Sequence, residues 1–233
     1  MGNCERARWL QRGTRRLLLP LFLVGSLMTA STEATFQTRQ SPSNLFFRED
    51  WKENPPATPV TQEHVVNQKL TVQRYGPGKE GIRKSHHDQP KDDPFYIWSG
   101  YCAGNCALTL RQVDQNVDLS VSGARIRWRT KQTGFRQLHI IIKLADGTWL
   151  VSEQSDGETK NWHQSEFSVE GLRWRGLDIE KVIEGRPVEK PNLSSVEEVG
   201  VSDLMTGGGT PASSRLDWLE VFGQGVKRGS GKP

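Results

Sequence analysis

The 233-residue sequence predicts an all-β fold, a single β-sandwich, on three observations. Short apolar stretches alternate residue by residue with polar ones, the period of a half-buried strand. They recur between turn signals such as Asp146-Gly147. No segment carries the apolar spacing of a long amphipathic helix. With 34% hydrophobic residues and 8 Trp the chain can enclose one ordinary core. Three cysteines, glycines without a period of three and a mean hydropathy of −0.62 exclude a disulfide miniprotein, a collagen and a multi-pass membrane protein.

Residues 1–34 read as an export signal. Arg6, Arg8, Arg12, Arg15 and Arg16 form a basic start, Leu17 opens an apolar stretch reaching about Met28, and Thr32-Glu33-Ala34 gives a small-any-small cleavage pattern. The stretch is well short of the ~18 apolar residues of a membrane span, so no integral span is expected after cleavage. An uncleaved signal anchor is the alternative. Thr14-Arg15-Arg16-Leu17 also resembles a twin-arginine signal. The expected location is therefore the periplasm, cell envelope or exterior. The formal charge of +4 belongs to the two ends, because the leader carries +3, the tail from Lys227 another +3, and residues 35–226 sum to −2. A body without a positive field excludes nucleic acid as a partner.

Residues 35–94 are rich in Pro and polar residues, as in Pro55-Pro56-Ala57-Thr58-Pro59, and read as a segment partly packed on the sandwich. Within it, His86-His87-Asp88 is the most chemical tripeptide, yet adjacent side chains seldom converge on one ion, so a surface loop is favoured. The sandwich occupies residues 95–223. Strands are expected at Cys106–Val113, Ala124–Thr130, Gln137–Ala145, Thr148–Ser152, Trp162–Val169, Val199–Leu204 and Ser214–Phe222. Leu177–Glu184 suits a short helix or a strand equally. Residues 224–233 read as a flexible basic tail. In an oxidising compartment Cys102 and Cys106, apart by a Gly-Asn turn, favour a small disulfide over two free thiols; a metal site would need two further ligands.

The order Val117-Asp118-Leu119-Ser120, Ala124-Arg125-Ile126-Arg127-Trp128-Arg129, an apolar strand, Trp149 and a closing Leu216-Asp217-Trp218-Leu219-Glu220-Val221 resembles galactose-binding-like jelly rolls. These include carbohydrate-binding modules and the complex I intermediate-associated protein family. The stretch from about Leu45 to Gly223 also resembles uncharacterised exported bacterial proteins. A concanavalin-like sandwich is the runner-up fold. The jelly-roll resemblance implies glycan as partner and a structural calcium where the first strand meets the last. Glu49 or Asp50 and Asp217 are the matching positions.

Aromatic faces suit sugar rings, but a Trp on an alternating strand is more often core. Trp128 and Trp218 are expected in the core, and Trp149, Trp162 and Trp174 are the candidate ligand-binding aromatics. Arg125, Arg127 and Arg129 share one strand face and, with Arg111 or Lys143 on neighbouring strands, could meet an anionic glycan in bidentate fashion. A solvated face interleaved with carboxylates is the plainer reading. No Gly-x-Ser-x-Gly, His-Glu-x-x-His or Gly-x-Gly-x-x-Gly motif is present, so no catalytic residue is assigned. The function expected is an exported, non-catalytic module that binds a glycan or another envelope or extracellular polymer. The alternatives are an exported glycan-active hydrolase resembling keto-disaccharide hydrolase domains, and a structural or protein-interaction module of the envelope.

Overall fold

Alternation decides the fold. In Arg125–Gln132 (β7) the inward residues Ile126, Trp128, Thr130 and Gln132 are all fully buried, while the basic residues between them are half-exposed. The computed structural model describes residues 43–87, 91, 93–207 and 212–228. Among them are fourteen strands, three single 3-10 turns and no α-helix. Every strand pairing is antiparallel.

The first sheet runs β10 (His163–Ser168), β7, then β14 (Ser214–Lys227). Along the other edge of β14 lie β1 (Asn44–Glu49) and β4 (Tyr96–Trp98), with β3 (Arg83–Ser85) beyond β4. The second sheet runs β2 (Leu70–Tyr75), β5 (Ala107–Gln112), β13 (Val196–Ser202), β8 (Leu138–Leu144), β9 (Trp149–Asp156), β11 (Trp174–Asp178) and β12 (Ile183–Val188). β6 (Gln115–Asp118) pairs with both β13 and the end of β14. One core fills the space between the sheets: Ile126, Trp128, Leu219 and Val221 from the first meet Leu110, Ile140, Ile142, Leu150 and Val199 from the second. This is the all-β sandwich the sequence predicts.

The outer face of the second sheet is partly covered as well. Ala107, Ile141, Val151, Leu177 and Val182 form a smaller cluster there, which is why Ile140-Ile141-Ile142 is apolar without a break. The segment around Leu177–Glu184 is neither helix nor single strand but the turn between β11 and β12, and its Val182 is fully buried in this cluster.

β14 joins the sheets. From Ser214 to Phe222 it pairs with β7, and from Gln224 to Lys227 with β6. Residues 224–227, expected in the flexible tail, are thus strand. Gly223, which leads into them, marks a close approach rather than a loop, because a Cβ there would stand 2.5 Å from Val117 Cγ2 and 2.7 Å from the Asp118 carbonyl oxygen. Cys102 and Cys106 form a disulfide, and both are buried. It closes the strap leading from β4 into β5.

Candidate functional site

Two carboxylates reach the same face of β13 because of a bulge. The register shifts between Val196, opposite Leu144, and Glu198, opposite Lys143. Consecutive strand residues ordinarily point to opposite faces, and the extra residue removes that constraint. Both side chains therefore meet one ammonium: Lys143 Nζ stands 3.0 Å from Glu197 Oε2 and 3.3 Å from Glu198 Oε1. Arg111 on β5 pairs with Glu197 at 2.7 Å. Glu198, only 2% exposed, also accepts hydrogen bonds from Thr109 Oγ1 at 2.6 Å and from the Tyr75 hydroxyl at 2.9 Å.

An aromatic pair adjoins this network. Trp149 lies opposite Lys143 in the β8–β9 ladder, and the Tyr75 ring packs edge-on against it with centroids 4.9 Å apart. Both rings are half-buried and rest on the outer apolar cluster. Burial, and then the charge of Glu198, push the Tyr75 phenol well above its ordinary range, so it remains a hydrogen-bond donor. Burial opposes the charge on Lys143, but the bonds to Glu197 and Glu198 outweigh it and raise its pKa. Two cations face two carboxylates, so the face is locally neutral. It offers an aromatic edge and several fixed polar groups, all on strands.

The sequence candidates are divided among different places. Trp149 is on this face. Arg125, Arg127 and Arg129 are on the outer face of the first sheet, so Arg111 and Lys143 are not their neighbours but belong to the other sheet. Each of the three arginines is already paired: Arg125 and Arg127 each stand 3.4 Å from Glu166, and Arg129 stands 2.7 Å from Asp217. Guanidiniums also cover the aromatic faces there, with Arg125 3.7 Å over Phe222, Arg48 4.5 Å over Trp218 and Arg129 5.6 Å over Trp162. Trp162 is half-buried and donates from Nε1 to Asp93 Oδ1 at 3.2 Å.

Trp174, a candidate ligand-binding aromatic, takes instead the core position that is commoner for a Trp on a strand. It is 3% exposed and part of the core, because β11 turns this side chain between the sheets, with one edge lining a cleft of roughly 700 Å³ beside residues 187–193. Trp128 is in the core as expected. Trp218 is buried too, but beneath Arg48 on the outside of the first sheet, since a second bulge between Leu216 and Trp218 turns it outward.

The calcium positions do not fit an ion. Glu49 is fully buried and caps a turn, accepting backbone N–H bonds from Trp51 at 3.0 Å, Val66 at 2.7 Å and Asn67 at 3.0 Å. Burial raises its pKa, and those three bonds oppose the rise. Asp50 pairs with Arg48 and Asp217 with Arg129. Among the described residues no group of three or more His, Cys, Asp or Glu could hold a metal. The two histidines also diverge: the His86 ring stacks on Phe95 at 4.1 Å, and His87 Nδ1 stands 3.0 Å from Asp93 Oδ2. Asp88 lies outside the described residues.

Tyr75, Thr109, Glu197 and Glu198 were not singled out from the sequence. A signal for the last two exists. In Val196-Glu197-Glu198-Val199-Gly200-Val201 the valines are spaced three and then two apart, which is alternation interrupted by one residue.

No family model and no curated protein matches the sequence. Among solved structures, the family 11 carbohydrate-binding module from Clostridium thermocellum, in complex with a β-1,3-1,4-mixed-linked tetrasaccharide, aligns at 12% identity and a TM-score of 0.42, covering 74% of this chain and 98% of that one. The same family's module of the cellulosomal cellulase Lic26A-Cel5E, also of Clostridium thermocellum, aligns at 11% identity and a TM-score of 0.39, covering 78% and 95%. An exo-β-agarase aligns at 8% identity and a TM-score of 0.40, covering 71% of this chain and 24% of that one. These proteins resemble this chain in general outline. What defines its class is its own geometry: an all-β sandwich with a neutral polar and aromatic face on one sheet.

Proposed function

We propose that this chain is an exported, non-catalytic module that binds a neutral glycan on the outer face of the second sheet. The observation that carries the reading is the Trp149–Tyr75 pair beside the Glu197, Glu198, Lys143 and Arg111 network. A sugar ring packs its C–H face on an indole, and its hydroxyls need donors and acceptors at fixed positions. Side chains held by one another on strands supply these with little ordering cost on binding. Neutrality of the network disfavours an anionic ligand, which would have to displace a carboxylate. The same pairing speaks against hydrolysis, since both glutamates are committed to one lysine rather than placed across a bond. Export is supported by the basic and apolar leader and by the Cys102–Cys106 disulfide, a bond typical of oxidising compartments.

Affinity electrophoresis of the purified chain through gels containing neutral polysaccharides (mixed-linkage β-glucan, xylan, agarose) tests the reading. At least one polysaccharide should retard it, without release of reducing sugar. Trp149→Ala should abolish retardation while preserving the far-ultraviolet spectrum. Retardation unchanged in Trp149→Ala would overturn the placement, and sugar release would overturn the non-catalytic reading.

A further inference from the structure

The first sheet carries a row of cations unlike the paired arginines beside it. β7, β14, β4 and β3 lie side by side, and their register sets Lys131 opposite Arg215, Arg215 opposite Trp98 and Trp98 opposite Arg83. Directly opposed residues hold their Cβ atoms about 4.5–5.5 Å apart on one face. All four are half-exposed. Tyr101, 46% exposed, closes the row: its ring centroid is 4.6 Å from that of Trp98, and the Arg83 guanidinium lies 5.4 Å over it.

Two features of this row are costly as it stands. Lys131 and Arg215 are like charges in direct opposition, an arrangement that destabilises a ladder. Elsewhere on this face such charges are relieved by Glu166, Glu220 and Asp217. Among the described residues no carboxylate pairs with Lys131, Arg215 or Arg83. Second, Arg83 Nε, Arg215 Nη1 and Trp98 Nε1 are donors closed off from solvent that have no acceptor among the described residues. Buried donors without acceptors are uncommon, and three on adjoining residues of one row call for a shared partner.

We propose that this row binds a tetrahedral oxyanion, a sulfate ester or a phosphate. Such a group cancels the like-charge opposition and brings at least three acceptor oxygens to donors that arrive from three strands. A carboxylate brings only two. Guanidinium forks match these oxygens in bidentate fashion, and rotation of the long arginine side chains opens their inner nitrogens to the ligand. The site is on the opposite sheet from the neutral face and does not rest on that assignment. The oxyanion arrives either esterified on a polysaccharide or as the free ion.

Binding of dextran sulfate, unmodified dextran and inorganic sulfate to the purified chain, followed by calorimetry and by the melting temperature, separates the cases. Dextran sulfate should bind and dextran should not. Arg83→Gln/Arg215→Gln should weaken binding by about tenfold or more. Arg125→Gln/Arg127→Gln makes the same change in net charge outside the row and should alter binding by less than about twofold if the row, not the overall charge, is recognised. Lys131→Gln serves as a second variant, and it should keep the fold because it removes a repulsion. A melting temperature raised by inorganic sulfate in the wild type, but not in Arg83→Gln/Arg215→Gln, supports the site with the free ion as its ligand. Equal losses in the two double variants, undiminished binding in Arg83→Gln/Arg215→Gln, or no response to either sulfate source would overturn the proposal.

Discussion

Removing either half of the Arg136–Asp203 ion pair should cost the protein a large part of its stability. Arg136 Nη1 stands 2.8 Å from Asp203 Oδ2, with side chains only 3% and 0% exposed. The guanidinium also donates to the carbonyl oxygens of Met205, Thr206 and Gly207, and Asp203 accepts from Ser99 Oγ and the Met205 N–H. Charges about 4 Å apart at an effective dielectric of about 20 attract by about 4 kcal/mol. In Arg136→Met that attraction is lost and the buried Asp203 carboxylate is left without its cation. The expected loss is about 3–5 kcal/mol, against a total of about 5–15 kcal/mol for a domain. Asp203→Asn should cost a similar amount by stranding the guanidinium. The double variant should cost clearly less than the sum of the two, because no charge is left unpaired. Urea unfolding followed by tryptophan fluorescence, with unchanged dependence on denaturant, measures all three. Losses below about 1 kcal/mol in both single variants, or strict additivity in the double, would refute the argument.

Two further predictions come from the same physics. Lys84 is fully buried, with Nζ bonded to the Asn54 carbonyl and lying 4.1 Å over the Phe95 ring; burial lowers its pKa from 10.5 to about 8, against the opposing charge of Glu53. Between about pH 8 and 10.5 the unfolded chain therefore holds more protons at this site than the folded one, so stability should rise with pH there, and Lys84→Met should flatten that slope in denaturation measured at several pH values. The Cys102–Cys106 bridge closes a loop with a sequence separation of 4, so Cys102→Ala/Cys106→Ala should lower unfolding free energy by about 2 kcal/mol, read by the same urea assay. An unchanged value would assign the strap's order to its surrounding contacts instead.

Strands with uninterrupted alternation were legible in the sequence. β7 shows every second residue buried, and β8 and β9 lie where the Asp146-Gly147 turn places them. What escaped were the places where period two breaks. Leu216, Leu219 and Val221 repeat the three-then-two spacing of Val196, Val199 and Val201, and each set marks a bulge. In both, the extra residue aims a carboxylate outward, Asp217 at Arg129 and Glu197 at Lys143. β3 and β4 are three residues each, too short to show any period, and owe their existence to pairing with each other and with β14. The tryptophans were the least legible. An indole on a strand can face the core, as Trp174 does, or be covered from outside by arginines, as Trp218 is. Only the pairing register decides, and register depends on partners far along the chain.

The strand shared by both sheets also sets the order of events during synthesis. Among the described residues β14 follows every other strand, yet it is the centre of the first sheet, with β7 on one edge and β1 and β4 on the other, and its end completes the second through β6. Until that segment leaves the ribosome, β1 lacks the strand it pairs with and β4 retains, among the described residues, β3 alone. The sandwich therefore stays open until β14 is available, and it closes in a step that joins strands from distant parts of the chain.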